Sequence, residues 1–130
     1  MTWPRGFAMP LNKSIAVGVA LAGLGLAGCA SVQANAFQVG SHRPPKPPEA
    51  VVQVFRDAAP SRGYVPVARL NVHIEKTFFI PTAFPEALPK LETLARENGA
   101  DAIIEIKETK SRLNETFIYN VAATAVAFTN

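Results

Sequence analysis

One side chain in this sequence stands where its neighbours already suggest a chemistry: Cys29. It is the single cysteine among 130 residues. Its thiol therefore has no disulfide partner within the chain and no second thiolate for a cysteine-built zinc site. Lys13 precedes an apolar run, Ile15 to Leu26, and Ala27-Gly28 lead from that run into Cys29. A basic start, an apolar stretch of roughly 7–15 residues and small residues at its end are the three parts of a secretory signal. The run is 12 residues long. As a helix it would span ~18 Å, well short of a ~30 Å hydrocarbon core, so a permanent transmembrane helix is the weaker reading.

The other chemistry-bearing residues are scattered. His73 is the one histidine beyond residue 50, and it alternates with apolar residues, which puts it on a polar strand face. His42 lies among prolines. No His/Cys/Glu cluster has the spacing of a three-ligand metal site, and no nucleophile elbow, phosphate loop or helix-borne metal motif is present. Glu92, Glu97 and Glu105 alternate with Lys and Arg, as on a solvated surface. Asp101 follows a Gly-Ala pair, where turn or cap duty is the plainer reading than an exposed functional acid. An enzyme would require a pocket that gathers Asp101, His73 and Tyr119. The expectation is a noncatalytic domain with no cofactor and no metal.

The isoelectric point is near 9.3, which invites a nucleic-acid partner. The distribution argues otherwise, because residues 51–130 carry nine Lys+Arg and nine Asp+Glu. Balanced, interspersed charge lacks the footprint of a nucleic-acid binder.

Three segments position these residues. Residues 1–28 read as the signal. Residues 29–50 read as a tether, since four of the five residues in Pro44-Pro45-Lys46-Pro47-Pro48 are prolines that fix φ and lack a donor. A PxxP-type ligand for another protein is the functional alternative for this stretch. Residues 51–130 read as one small domain of modest stability. In it, Ala50–Phe55 is β-branched and aromatic, and predicts a strand. Ala68, Leu70, Val72 and Ile74 alternate with Arg69, Asn71, His73 and Glu75, and predict a second. Leu88, Leu91, Leu94 and Ala95 recur at helical spacing within Phe84–Asn98, with Gly99 as the stop. Pro89 argues that the regular helix begins only near Leu88. Ala102–Lys107 predicts a third strand, Thr109–Asn114 a polar loop and Thr116–Phe128 a fourth strand. The expected fold is α+β, in the order β-β-α-β-β, with a sheet of about four strands and one helix on one face. Ala68–Ile74 and Thr116–Phe128 are the expected sheet edges, and unpaired edges readily accept another strand.

Leu26-Ala27-Gly28-Cys29 resembles the lipobox of bacterial lipoproteins. The resemblance implies cleavage after Gly28, diacylglycerol thioether-linked to Cys29 and a third acyl chain on the new amino terminus. Two or more chains make a stable anchor where one is marginal. Ala30-Ser31 lacks the Asp that retains such proteins in the inner membrane, so the implied address is the outer membrane, facing the periplasm. Two alternatives stay open: Ala34-Asn35-Ala36 supplies a signal-peptidase site that would discard Cys29, and Met9 offers a second start.

The folded part, through Leu91-xx-Leu94-Ala95-xxx-Gly99-Ala100-Asp101-Ala102-Ile103-Ile104 and Tyr119-Asn120-Val121-Ala122, resembles the Rcs envelope-stress sensor lipoproteins and the YbjQ-like family described as heavy-metal-binding. The stress sensors carry disulfide cysteines in the folded domain, whereas Cys29 is the single cysteine here. The expected function is a membrane-anchored envelope module that binds a protein partner or self-associates. Envelope-stress signalling, or binding of a metal or small ligand, is the alternative the resemblance implies.

Overall fold

The computed structural model describes residues 30–77 and 81–130. Cys29, Gly28 and the signal segment lie outside the described residues. The elements are β1 (Ala30–Gln38), β2 (Gln53–Val54), β3 (Tyr64–Lys76), α1 (Phe84–Glu97), β4 (Ala102–Leu113) and β5 (Thr116–Phe128). Among the described residues the fold is α+β: one sheet of five strands, spatial order β1-β3-β5-β4-β2, with a single helix. The order expected from the sequence, β-β-α-β-β, lacks the strand that comes first.

That strand is the main correction. Residues 30–50 were expected to be part of a tether, but they belong to the fold. β1 pairs antiparallel with β3 along its whole length, from Ala30 opposite Lys76 to Gln38 opposite Ala68. Its helix-side residues Val32, Ala34 and Ala36 face Ile74, Val72 and Leu70, while Ser31, Gln33 and Asn35 face the other way. This is the period-two pattern of a strand with one apolar side.

The proline run is a strap across the end of α1. Lys46 carries the one backbone N–H in Pro44–Pro48, and that N–H donates to the Arg96 carbonyl at 2.8 Å. Arg43 Nε donates to the Gly99 carbonyl at 3.2 Å, and Arg96 Nε donates to the Ala50 carbonyl at 2.8 Å. Lys46 Nζ is ion-paired with Asp101. The helix ends as the sequence predicts. Gly99 has φ 72, its N–H bonds the Arg96 carbonyl and the N–H of Ala100 bonds the Ala95 carbonyl. That pair of bonds is a Schellman cap, which satisfies carbonyls the helix cannot. The strap makes glycine doubly necessary, because a Cβ at position 99 would lie 2.6 Å from the Pro44 carbonyl oxygen.

α1 begins at Phe84 with Pro85 in its first turn, and it runs unbroken through Pro89. Pro89 is exposed, so the missing donor and the ring face water instead of the core. The buried stripe is Phe84, Ala87, Leu91 and Ala95, one turn longer than the leucine pattern alone suggests. It packs on Leu70, Val72, Ile74, Val121, Ala123 and Ala125 of β3 and β5. The alanines of β5 admit the helix close to the sheet, and the dense packing of this layer is the main source of stability. A second, smaller cluster lies on the opposite face, where Phe55, Tyr64 and Phe128 pack on Ala102, Ile104 and Val126.

β4 is longer than expected. Thr109–Leu113 continues the strand and pairs with β5 up to Leu113 opposite Thr116, so the predicted polar loop shrinks to a two-residue turn, Asn114-Glu115. Polar residues suit a strand whose sides both meet solvent, and Asn114 takes the left-handed conformation the turn demands, with φ 56.

Candidate interaction surface

β3 and β5, the expected edges, are interior. β3 lies between β1 and β5, and β5 lies between β3 and β4. Each is paired along both sides, which is why neither is free to accept another strand. The true edges are β2, two residues long, and β1, nine residues long. Eight of the nine β1 residues are exposed, and none of them is charged. In an antiparallel pair every second residue directs its N–H and C=O away from its partner strand. β1 therefore offers a row of backbone donors and acceptors with no strand on its outer side among the described residues.

Natural sheets blunt such edges with lysines, prolines, bulges or very short strands. β2 is short, and the chain leaves it through Asp57-Ala58-Ala59-Pro60. β1 has none of these devices. Phe37 adds an exposed aromatic ring near its far end, 66% accessible.

Beside β1, on the face away from α1, runs a polar row. His73 lies opposite Gln33 on one side and Asn120 on the other. Its Nδ1 lies 2.6 Å from Asn120 Oδ1 and its Nε2 lies 2.7 Å from the Glu75 carboxylate, each within hydrogen-bond distance. The Glu75 carboxylate, then the Asn120 carbonyl, raise its pKa above the ordinary value, against a smaller opposing effect of burial. Both ring nitrogens have a hydrogen-bond partner within the polar face. His73 is thus on the polar face, as its alternation predicts, but bound into it.

A shallow cleft of about 490 Å³ opens where β4 bulges away from β5. Arg56, Arg69, Lys107, Glu105 and Thr124 ring it, and Ala122 forms part of its floor. Glu105 occupies the bulge with φ 54, and its carboxylate accepts from Thr124 Oγ1 at 2.9 Å. Arg69 and Lys107 are exposed.

Asp101, His73 and Tyr119 do not meet. Asp101 sits at the start of β4, ion-paired with Lys46 and accepting the Phe128 N–H at 2.8 Å. Burial pushes its carboxyl upward, but Lys46, the Phe128 N–H and Arg43 together outweigh that and hold it below the ordinary value. It is a clamp between the strap and the end of β5. Tyr119 points to the helix side, beside Ile74. Its hydroxyl donates to Glu108 at 2.5 Å, and Glu108 is also paired with Arg56. Burial first, then the Glu108 carboxylate, push the phenol far above its usual pKa. Among the described residues no three His, Cys, Asp or Glu side chains converge on a point that would hold a metal ion.

No protein-family model matches the chain, and no curated protein matches it. Among solved structures, the crystal structure of a Francisella virulence factor, FvfA, in its orthorhombic form is similar, with a TM-score of 0.48 and 15% identity over 73% of this chain and 97% of that one. A likeness of that size carries no functional argument.

Sequence reasoning missed β1 as the candidate surface. The signal was available in Val32, Ala34 and Ala36 alternating with Ser31, Gln33 and Asn35, in a stretch with no proline and no charge.

Proposed function

We propose that this chain is a noncatalytic lipoprotein of the bacterial envelope, cleaved after Gly28 and anchored through acyl chains on Cys29. On this reading its domain faces the periplasm from the outer membrane and offers the β1 edge to a strand of a protein partner or of a second copy. The observation that carries the reading is the edge itself. Nine consecutive uncharged residues leave one row of backbone groups without a partner strand among the described residues, and main-chain pairing is a general mode of peptide recognition. The lipobox-like Leu26-Ala27-Gly28-Cys29 supplies the address.

The test has two arms. Intact mass spectrometry of membrane-extracted protein, beside a Cys29→Ser variant, should show a product beginning at Cys29 with added acyl mass, absent in the variant. A photo-crosslinking residue at Gln33 or Asn35, on the exposed edge strand, should then trap a discrete adduct in intact envelopes. A soluble product beginning downstream of Cys29 would remove the anchoring. A monomer at every concentration that traps nothing from β1 would remove the pairing.

A further inference from the structure

A lipid anchor usually leaves a domain free to wander on a spacer, and here the strand order leaves no spacer. Ala30 is already paired with Lys76 as the first residue of β1, and consecutive Cα atoms are only ~3.8 Å apart. If Cys29 is acylated, the sheet is held at its very end. The registers name that end. Ala30 lies beside Lys76, Lys76 beside Phe117, Phe117 beside Arg112, and the hairpin closes with Leu113 opposite Thr116. Three strand spacings of ~4.8 Å separate Ala30 from Arg112, roughly 14 Å in all.

We propose that this end of the sheet rests on the bilayer surface, with the β4–β5 hairpin tip as a second contact and Leu113 seated in the headgroup layer. The inference rests on the lipidation reading of Cys29 and adds an orientation to it. A single attachment point permits the domain to pivot, and a second contact about 14 Å away would stop it. The tip has the composition for that role. Leu113 is 65% exposed, the most exposed large apolar side chain at this end among the described residues. Lys110 and Arg112 precede it on the same strand and project from the other face, over Tyr119 and Phe117, and one carboxylate, Glu115, stands in the turn. The Arg112 guanidinium lies over the Phe117 ring at 5.3 Å. A hairpin tip with an apolar side chain on one face and long basic ones on the other fits an interface whose phosphates lie outside its acyl chains. The opposite end of β1, at Phe37, would stand ~23 Å away from the surface, which leaves the open edge rising from the membrane into the periplasm.

The mature chain would contain no tryptophan, because Trp3 lies in the signal segment. Leu113→Trp and Phe37→Trp would therefore each place one reporter at a position already exposed. Both variants, purified with their lipid, are reconstituted into vesicles of phosphatidylethanolamine and phosphatidylglycerol that carry a bromine-labelled acyl chain. The expected result is quenching of the Leu113→Trp indole, with a blue-shifted emission, roughly twofold or more beyond that of Phe37→Trp. Equal, weak quenching at both positions in acylated, vesicle-bound protein would overturn the orientation and leave the anchor standing. Protein without acyl mass that stays out of the vesicles would overturn both.

Discussion

The molecule has two regions of opposite character only one strand apart. Where α1 crosses β3 and β5, side chains such as Leu91, Val72 and Val121 have no exposure at all. On β1, adjacent to β3, nearly every residue meets solvent. The first region holds the fold together through dense apolar contact. The second contributes backbone pairing on one side and has no partner strand on the other among the described residues. Stability and recognition are thus assigned to different strands, and substitutions should separate them.

The largest effect is expected in the first region. Leu91 is fully buried at the centre of the helix stripe. Leu91→Ala should cost about 2–5 kcal/mol, through lost transfer free energy and the cavity left behind. Chemical denaturation should read this as a lower midpoint. Next comes the strap. Gly99→Ala forces a side chain into φ 72 and against the Pro44 carbonyl, and should cost about 1–3 kcal/mol. If Gly99→Ala proves neutral, the proline segment is not packed against α1 as described.

The ion pair between Lys46 and Asp101 tests the same strap by charge. Asp101→Asn keeps an acceptor for the Phe128 N–H but loses the pair, at about 1 kcal/mol. The pH dependence has a definite sign. The folded-state pKa lies below the ordinary 3.8, so the contribution of Asp101 is whole above that value and is lost as pH falls through the folded one. Asp101→Asn should therefore flatten the acid limb of a stability profile. His73 works in the opposite sense. Its folded pKa lies above the ordinary 6.5, so its contribution is present below 6.5 and drains away as pH rises through the folded value. His73→Gln should remove that neutral-range slope with a smaller change in the midpoint itself.

How much of this was open to reading from the chain depends on the range of the forces involved. The Gly99 stop, the alternation through Ala68–Ile74 and the limits of Thr116–Phe128 are set by local stereochemistry and by one buried face, and each stands where its pattern put it. Proline reports a stiff backbone but not what lies beside it; the strap is held by partners far away in sequence, through the Lys46 N–H on the Arg96 carbonyl, the Arg43 and Arg96 side chains on backbone carbonyls and the Lys46–Asp101 pair. β4 was cut short because Lys110, Ser111 and Arg112 look like a loop, although a strand exposed on both sides needs no apolar alternation. His73 and Glu75 share a face by their spacing alone, but Asn120 joins them only through the β3–β5 register. The edges were misassigned for the same reason: which strands lie outermost depends on pairing, which length and hydrophobicity do not encode.

The smallest expected effect on stability belongs to β1 and carries the most functional information. Asn35 is exposed, faces away from α1 and lies opposite Asn71. Asn35→Lys adds a charge without opening a cavity, so its stability should stay within about 0.5 kcal/mol of the parent. At an edge meant to pair, however, a lysine is the device by which sheets refuse a neighbour. Crosslinks formed through Gln33 should fall sharply in the Asn35→Lys protein, while a lysine at Ala122, an exposed position on the same face of interior strand β5, should leave them unaltered. Loss of the crosslink in both proteins would point to the whole outer face as the contact. Persistence in both would mean that β1 is merely an edge left open, and the division of labour between the two regions would fail.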